Sequence, residues 1–429
     1  MDTLHYLDGR LHLEGVDLRT VAAQYNTPCY VYSQAQLTAN WQAFDQALGE
    51  HPHLICYAVK ANSSLAILQQ LARLGSGFDI VSGGELARVI RAGGDPAKVV
   101  FSGVGKRHDE MRAALTAGIR CFNVESSAEL YRLNALAGEM GLKAPIALRV
   151  NPDVDAGTHP YISTGLKENK FGVDIDEAVS LYRQAATLAH LEIKGLACHI
   201  GSQLTSLAPF LDALQRVLTL TQALAQIGIT LQHLDLGGGL GIRYRHETPP
   251  TPHDYGRALL AELAPLPYEI LLEPGRAIVG NAGILLTRVE YLKQAPDKQF
   301  AIVDASMSEL LRPALYDAWQ EIIPVVEHAT PAKTLFDIVG PVCESADFLG
   351  KQRSLSLHEG DLLAICSAGA YGYCMSSNYN SRTRPAEVMI SGAQTHLITR
   401  RETLDEMLAR ECLIDLQPIE DAHATQPRT

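Results

Sequence analysis

The sequence predicts an α/β protein: a (β/α)8 barrel followed by a C-terminal β-sandwich-like or β-barrel-like domain that also takes in N-terminal strands. Three observations predict it. Apolar strand patterns alternate with amphipathic helical patterns about eight times within roughly 230 residues. After about residue 280 the rhythm changes to strands with short turns and little helix. The polar and glycine-rich segments cluster at the C-terminal ends of the strand patterns, where barrels of this kind carry their sites.

In chain order, residues 1–29 hold short β-like pieces such as Leu11–Leu13 and the start of Cys29–Tyr32, and Gln34–Leu48 reads as a helix. The barrel strands are expected at Ile55–Val59, Gly77–Val81, Val99–Ser102, Cys121–Val124, Ile146–Val150, Ile193–His199, His233–Leu236 and Glu269–Leu272. Helical patterns separate them, at Ser64–Leu74, Glu85–Ala92, Asp109–Ala117, Ala128–Glu139 and Leu207–Gln226. Such alternation implies parallel strands joined by crossovers. An open doubly wound sheet is the competing fold, but it would place a glycine-rich fingerprint after the first strand, and Val59–Ser63 has none. Beyond 280, strands are expected at Ile284–Tyr291, Gln299–Val303, Thr334–Val339, Asp361–Ile365 and Ala386–Ile390. The expected division is a barrel over 30–280, a β domain from 1–29 plus 281–420, and a frayed polar tail at 421–429.

Bulk properties narrow the function. The 429 residues are 47% apolar and 20% charged, which suits a globular protein with a large core. The formal charge of −12 argues against a nucleic-acid or anionic-membrane surface. No apolar run is long enough to span a bilayer, and no secretory signal opens the chain. The eight cysteines are scattered without a C-x-x-C pair, the pattern of reduced thiols in a cytoplasmic protein, mostly core filler.

The chemistry is read at the strand ends. The first strand ends in Lys60, which is costly there unless it meets solvent, is paired, or is used as a Schiff-base amine. The second carries Asp79, the fifth Arg149-Val150-Asn151-Pro152, and the sixth His199-Ile200-Gly201-Ser202-Gln203. The seventh ends in Gly237-Gly238-Gly239, which could be a flexible turn or a backbone cradle for an anion. The eighth ends in Glu273-Pro274-Gly275-Arg276. Glu273 could pair with Arg276 or serve a pyridine nitrogen, and His199 could be a satisfied polar group or stack on a flat ring. A lysine, an anion cradle, a carboxylate and a ring-covering histidine together imply pyridoxal phosphate better than any one of them does.

The β domain adds Arg312-Pro313-Ala314-Leu315-Tyr316, Gly369-Ala370-Tyr371 and the loop Cys343-Glu344-Ser345-Ala346-Asp347. Cys343 reads either as a structural thiol or, with acids close behind it, as a proton donor rather than a nucleophile.

The segments Tyr57–Asn62, His199–Gln203, Gly237–Gly241, Glu273–Arg276, Cys343–Asp347 and Gly369–Tyr371, with the loop from Asn151 through Gly172, resemble those of the bacterial diaminopimelate decarboxylases. These are fold-type III, alanine-racemase-like pyridoxal-phosphate enzymes. The resemblance runs from about Thr27 to about Met389. It implies a homodimer with shared active sites at the interface. It assigns Lys60 as the cofactor lysine, with Asp79, His199, Ser202, Gly238, Gly239, Glu273, Gly275, Arg276 and Tyr371 around the cofactor. It assigns Arg276, Arg312, Tyr316, Glu344 and Tyr371 to the substrate, and Cys343, from the neighbouring subunit, to proton transfer. No metal is implied. The implied reaction is decarboxylation of meso-2,6-diaminopimelate to L-lysine, the last step of lysine biosynthesis. The alternatives are a decarboxylase of ornithine, arginine or carboxynorspermidine, and a non-catalytic cofactor-binding regulator. The Lys167–Lys170 loop is a segment that could order on binding.

Overall fold

Eight short apolar strands close a barrel because each is buried on both faces and must pair on both edges. The computed structural model describes residues 3–154, 170–263, 265–327 and 333–415. The barrel strands are β1 (His53–Ala58), β2 (Gly77–Ile80), β3 (Val99–Phe101), β4 (Cys121–Val124), β5 (Ala144–Asn151), β6 (Leu191–Cys198), β7 (His233–Asp235) and β8 (Glu269–Leu272). Each lies parallel to the next, and β8 pairs with β1 through Leu271↔Leu54 to complete the ring. All eight expected strands are present. Cys56, Val100, Cys121, Ala147, Ala197 and Leu271 fill the interior. Two of the cysteines are thus barrel filling, while Cys343, Cys374 and Cys412 are exposed.

Local sequence starts the crossovers. Ser82 and Ser126 cap the helices Gly83–Arg91 and Ser127–Glu139, accepting from Glu85 N and Glu129 N at 3.2 Å each. Helices at Ile175–Thr187 and Pro252–Leu263 fall where the alternation requires crossovers, although their periodicity does not stand out in the sequence.

One expectation changes in a way that matters for the site. Lys60 does not lie on the first strand. That strand stops at Ala58, and Val59–Ala61 forms a 3-10 turn. The last pairing is Ala58↔Asp79, and beyond it the chain curls over the barrel mouth.

The β domain is built on the long strand Gly283–Gln294. Its first half pairs with Cys29–Ser33 and Leu362–Ile365, its second half with Gln299–Val303. The sheet order continues from Gln299–Val303 to Thr334–Val339 and Phe348–Leu355, and from Cys29–Ser33 to Ala386–Ser391 and Gln394–Thr399. Cys29–Ser33 lies wholly in this sheet, between Gly283–Gln294 and Ala386–Ser391. Leu4–Leu7, Arg10–Leu13 and Val16–Asp17 form a separate three-stranded sheet, tied on through Leu11 N to Val325 O at 2.8 Å. Most of the Asn151–Gly172 loop, including Lys167, and the 421–429 tail lie outside the described residues.

Candidate active site

The barrel mouth gathers the strand-end residues. Lys60 Nζ forms an ion pair with the fully buried Asp79 carboxylate. Burial opposes the ammonium, but Asp79 and then Glu273 hold its pKa above the ordinary lysine range. Solvent still reaches the Lys60 side chain, so it is neither a plain surface lysine nor an inert buried pair. The other Asp79 oxygen, Oδ1, is buried without a hydrogen-bond partner.

Glu273 does not pair with Arg276. It lies 3.4 Å from Asn123 Nδ2 and from Ser102 Oγ, beside the buried Asp235. Burial, Asp235 and Asp79 push the Glu273 carboxyl well above the usual carboxylate range.

The glycine run is a tight turn against both neighbours. A Cβ on Gly238 would lie 2.2 Å from Glu273 O, and one on Gly239, at φ +113°, 2.6 Å from Gly201 O. Gly238 N donates to His199 Nδ1 at 3.2 Å, so the ring proton sits on Nε2. Burial, with Arg149 and Lys60, drives the His199 pKa well below the usual histidine value and keeps the ring neutral. Gly275 packs against the Lys60 turn, where a Cβ would meet Ala61 Cβ at 2.9 Å.

Arg276 and Arg312 are buried. Arg276 donates to Tyr244 Oη at 2.7 Å and to Ser202 Oγ at 3.0 Å, and its guanidinium lies 4.8 Å from the Tyr371 ring centroid. Arg312 stacks over Tyr244 at 4.7 Å, and its Nη1 is buried without a hydrogen-bond partner. Neither guanidinium has a carboxylate partner among the described residues. Burial, with Arg276 close by, depresses the Arg312 pKa. Tyr316 is close enough to affect the charge of both.

The β domain reaches the mouth of its own barrel through one loop and not through another. Tyr371 N donates to Ala61 O at 2.8 Å, and Asn62 Nδ2 to Gly369 O at 3.1 Å. Cys343 and Glu344 instead sit exposed on the Gly340–Asp347 loop. Asp347 shapes that loop, accepting from Met307 N at 2.6 Å and Val342 N at 2.8 Å, and Asn380 Oδ1 accepts from Cys343 N at 2.7 Å. Among the described residues, neither Cys343 nor Glu344 makes a hydrogen bond or ion pair with the barrel mouth.

Sequence reasoning missed Tyr244, Asn123, Asp235 and Ser102. The amide of Asn123 and the carboxyl of Asp235 interrupt otherwise apolar strands, Cys121–Val124 and His233–Asp235, and that interruption was a usable signal. Tyr244 sits in a loop with no comparable signal.

Pyridoxal phosphate requires an amine at its aldehyde, a polar partner such as a carboxyl at its ring nitrogen and an accessible backbone at its phosphate. Lys60, Glu273 and the Gly238–Gly239 turn offer those groups, and the open Oδ1 of Asp79 and Nη1 of Arg312 leave polar valences for a ligand. The residues therefore fit the cofactor.

The fold and this donor set define a pyridoxal-phosphate barrel enzyme, and the comparisons agree. Residues 34–280 match the family model of the pyridoxal-dependent decarboxylase, pyridoxal binding domain. The chain is 60% identical over 414 residues to a diaminopimelate decarboxylase of Pseudomonas aeruginosa, covering 96% of this chain and 100% of that one. The crystal structure of diaminopimelate decarboxylase from Helicobacter pylori complexed with L-lysine superposes with a TM-score of 0.88 at 42% identity, covering 92% of this chain and 98% of that one. The enzyme from M. jannaschii, in co-complex with L-lysine, gives 0.92 at 38% identity, covering 96% and 98%. The chain belongs to the diaminopimelate decarboxylase family. No helix among the described residues is long and apolar enough to cross a membrane.

Proposed function

We propose that this chain catalyses the pyridoxal-phosphate-dependent decarboxylation of meso-2,6-diaminopimelate to L-lysine and CO2. The observation that carries the substrate assignment is the pair of buried guanidiniums, Arg276 and Arg312, joined through Tyr244 and lacking any carboxylate partner among the described residues. A diamine tail would need an acidic grip there. A second amino-acid end with a carboxylate needs what this site offers.

Bound at the mouth, pyridoxal phosphate supplies an electron sink conjugated to the substrate's α-carbon. Lys60 would hold it covalently through Nζ. Asp79 orients Lys60. His199 covers one ring face as a neutral imidazole, and Glu273 keeps a proton at the ring nitrogen. The Gly238–Gly239 turn, with Gly275, Ser202 and Tyr371, seats the remaining cofactor edge and phosphate. Arg276, Arg312 and Tyr316 orient the distal carboxylate, and Tyr371 closes the pocket over Arg276. CO2 loss leaves the α-carbon in need of a proton, and Cys343 Sγ supplies it.

Cys343 and Glu344 reach a site only as part of a homodimer, in which one protomer's Gly340–Asp347 loop enters its partner's barrel mouth. Glu344 then meets the distal ammonium. The enzyme works in the cytoplasm, a compartment consistent with eight free thiols.

The deciding measurement is CO2 release from meso-diaminopimelate, ornithine, arginine and lysine in parallel. Diaminopimelate alone should be turned over efficiently, and a preference for ornithine or arginine would overturn the assignment. Lys60→Ala should remove the visible absorption of the bound cofactor along with activity. A coloured, active variant would unseat Lys60.

A further inference from the structure

Asp235, at the C-terminal end of β7, has no part in the reading above. It is 1% exposed. Its Oδ1 accepts from Gly237 N at 2.9 Å, the first residue of the glycine turn. Its Oδ2 accepts from Asn123 Nδ2 at 2.9 Å. The same Asn123 nitrogen lies 3.4 Å from Glu273 Oε1, so one amide nitrogen bridges the two buried carboxyls.

Two dry carboxylates gathered on one amide nitrogen repel each other, which favours a proton on one of them. Burial raises the pKa of both groups. The charged groups facing the pair are Asp79 on β2 and Lys60 in the turn after β1. Cys56, Cys121, Cys198 and Tyr255, which also face Asp235, are held neutral by burial. One proton on the carboxyl pair relieves that repulsion, and among the described residues no side-chain cation forms an ion pair with either carboxyl.

We propose that Asp235 is a positioning residue for the cofactor: one oxygen fixes the glycine turn, and the other shares a proton with Glu273, keeping that proton in the contact between Glu273 and the ring nitrogen. The transfer balances. When the nitrogen takes the proton, Glu273 becomes a carboxylate and Asp235 stays one, so the cluster's net charge does not change. Asp235's negative charge keeps the proton from leaving to bulk water. The inference rests on Glu273 serving the ring nitrogen.

The test uses holoenzyme loaded with cofactor labelled with 15N in the ring, whose chemical shift reports protonation of that nitrogen. In Asp235→Asn the ring nitrogen should lose its proton about one pH unit or more below the wild-type midpoint, a roughly tenfold weaker hold. Cofactor dissociation, measured by equilibrium dialysis, should weaken as well. Glu273→Gln separates the two ideas. If Glu273→Gln changes the 15N signal and Asp235→Asn titrates as wild type, the role of Asp235 is overturned and Glu273 keeps its own. If Glu273→Gln leaves the signal unchanged, both fall. Should Asp235→Asn not fold, infrared spectra of the cofactor-free wild type carry the test. A protonated-carboxyl stretch at neutral pH that disappears in Glu273→Gln supports the shared proton, and its absence from the wild type overturns it.

Discussion

Tyr244 shows how much one side chain can organise. Its hydroxyl accepts from Arg276 while its ring faces Arg312, so two like charges share one partner and both stay aimed at the mouth. Arg312 is the more exposed of the two to loss, since its Nη1 has no hydrogen bond. Arg312→Ala should therefore raise KM for diaminopimelate by about 10²-fold, the worth of a charge-assisted contact, and leave the cofactor's visible spectrum unchanged. Steady-state kinetics with absorption spectra check it, and a lost cofactor band would make Arg312 structural instead. Cys343→Ala should bind substrate normally and lose about 10²-fold or more in kcat, as expected when a general acid is removed. Near-normal turnover would remove the thiol from the reaction.

At the scale of elements, the glycine turn after β7 is the most constrained segment. The Cβ of Gly238→Ala would sit 2.2 Å from Glu273 O, a backbone atom that cannot swing aside. That substitution should cost about 1–3 kcal/mol of stability in the cofactor-free protein, the usual range for overpacking, as read by denaturant titration. Unchanged stability would mean that the β7 and β8 ends can separate. The other end of β7 carries a pH dependence. Burial, with Arg120 and Lys194, drives His233 down to about 3. The unfolded chain takes up a proton near the ordinary histidine value and the folded one does not. Stability is therefore complete above that value and falls as pH drops toward 3, by up to about 1.4 kcal/mol per unit. His233→Gln should flatten this slope between pH 6 and 4, and an unaltered slope would place the acid sensitivity elsewhere.

These elements also show what the sequence carried. The eight strands were legible because buried parallel strands are written as apolar runs, and Lys60, His199 and Glu273 because each ends such a run. The turn at Val59–Ala61 was not legible, because it begins where pairing with the neighbouring strand stops, at Ala58↔Asp79, a tertiary event. Ile322–Pro324, Phe348–Leu355 and Gln394–Thr399 escaped notice as well, since short or half-exposed strands leave little periodicity. The Asp347 and Asn380 contacts that set the Cys343 loop join residues far apart in the chain, a pairing that a single sequence does not encode locally.

At the scale of the whole molecule, the proposed homodimer would build each working site from two chains, with Lys60 from one and Cys343 from the other. Lys60→Ala and Cys343→Ala, each inactive alone, should together regain about a quarter of wild-type activity when mixed and allowed to exchange. Half of the dimers then hold both variants, and each of those holds one intact site. No recovery under conditions where subunits exchange would place the thiol and the lysine on one chain. The position of Cys29–Ser33 has a consequence of its own. It leaves the ribosome well before its sheet neighbours, Gly283–Gln294 and Ala386–Ser391. The barrel can close while the chain is still being made, but this earlier strand must wait for Ala386–Ser391 to be made before both its edges are covered. A nascent chain stalled between those two partners should therefore bear an uncovered strand edge, the kind of surface that invites chaperone binding.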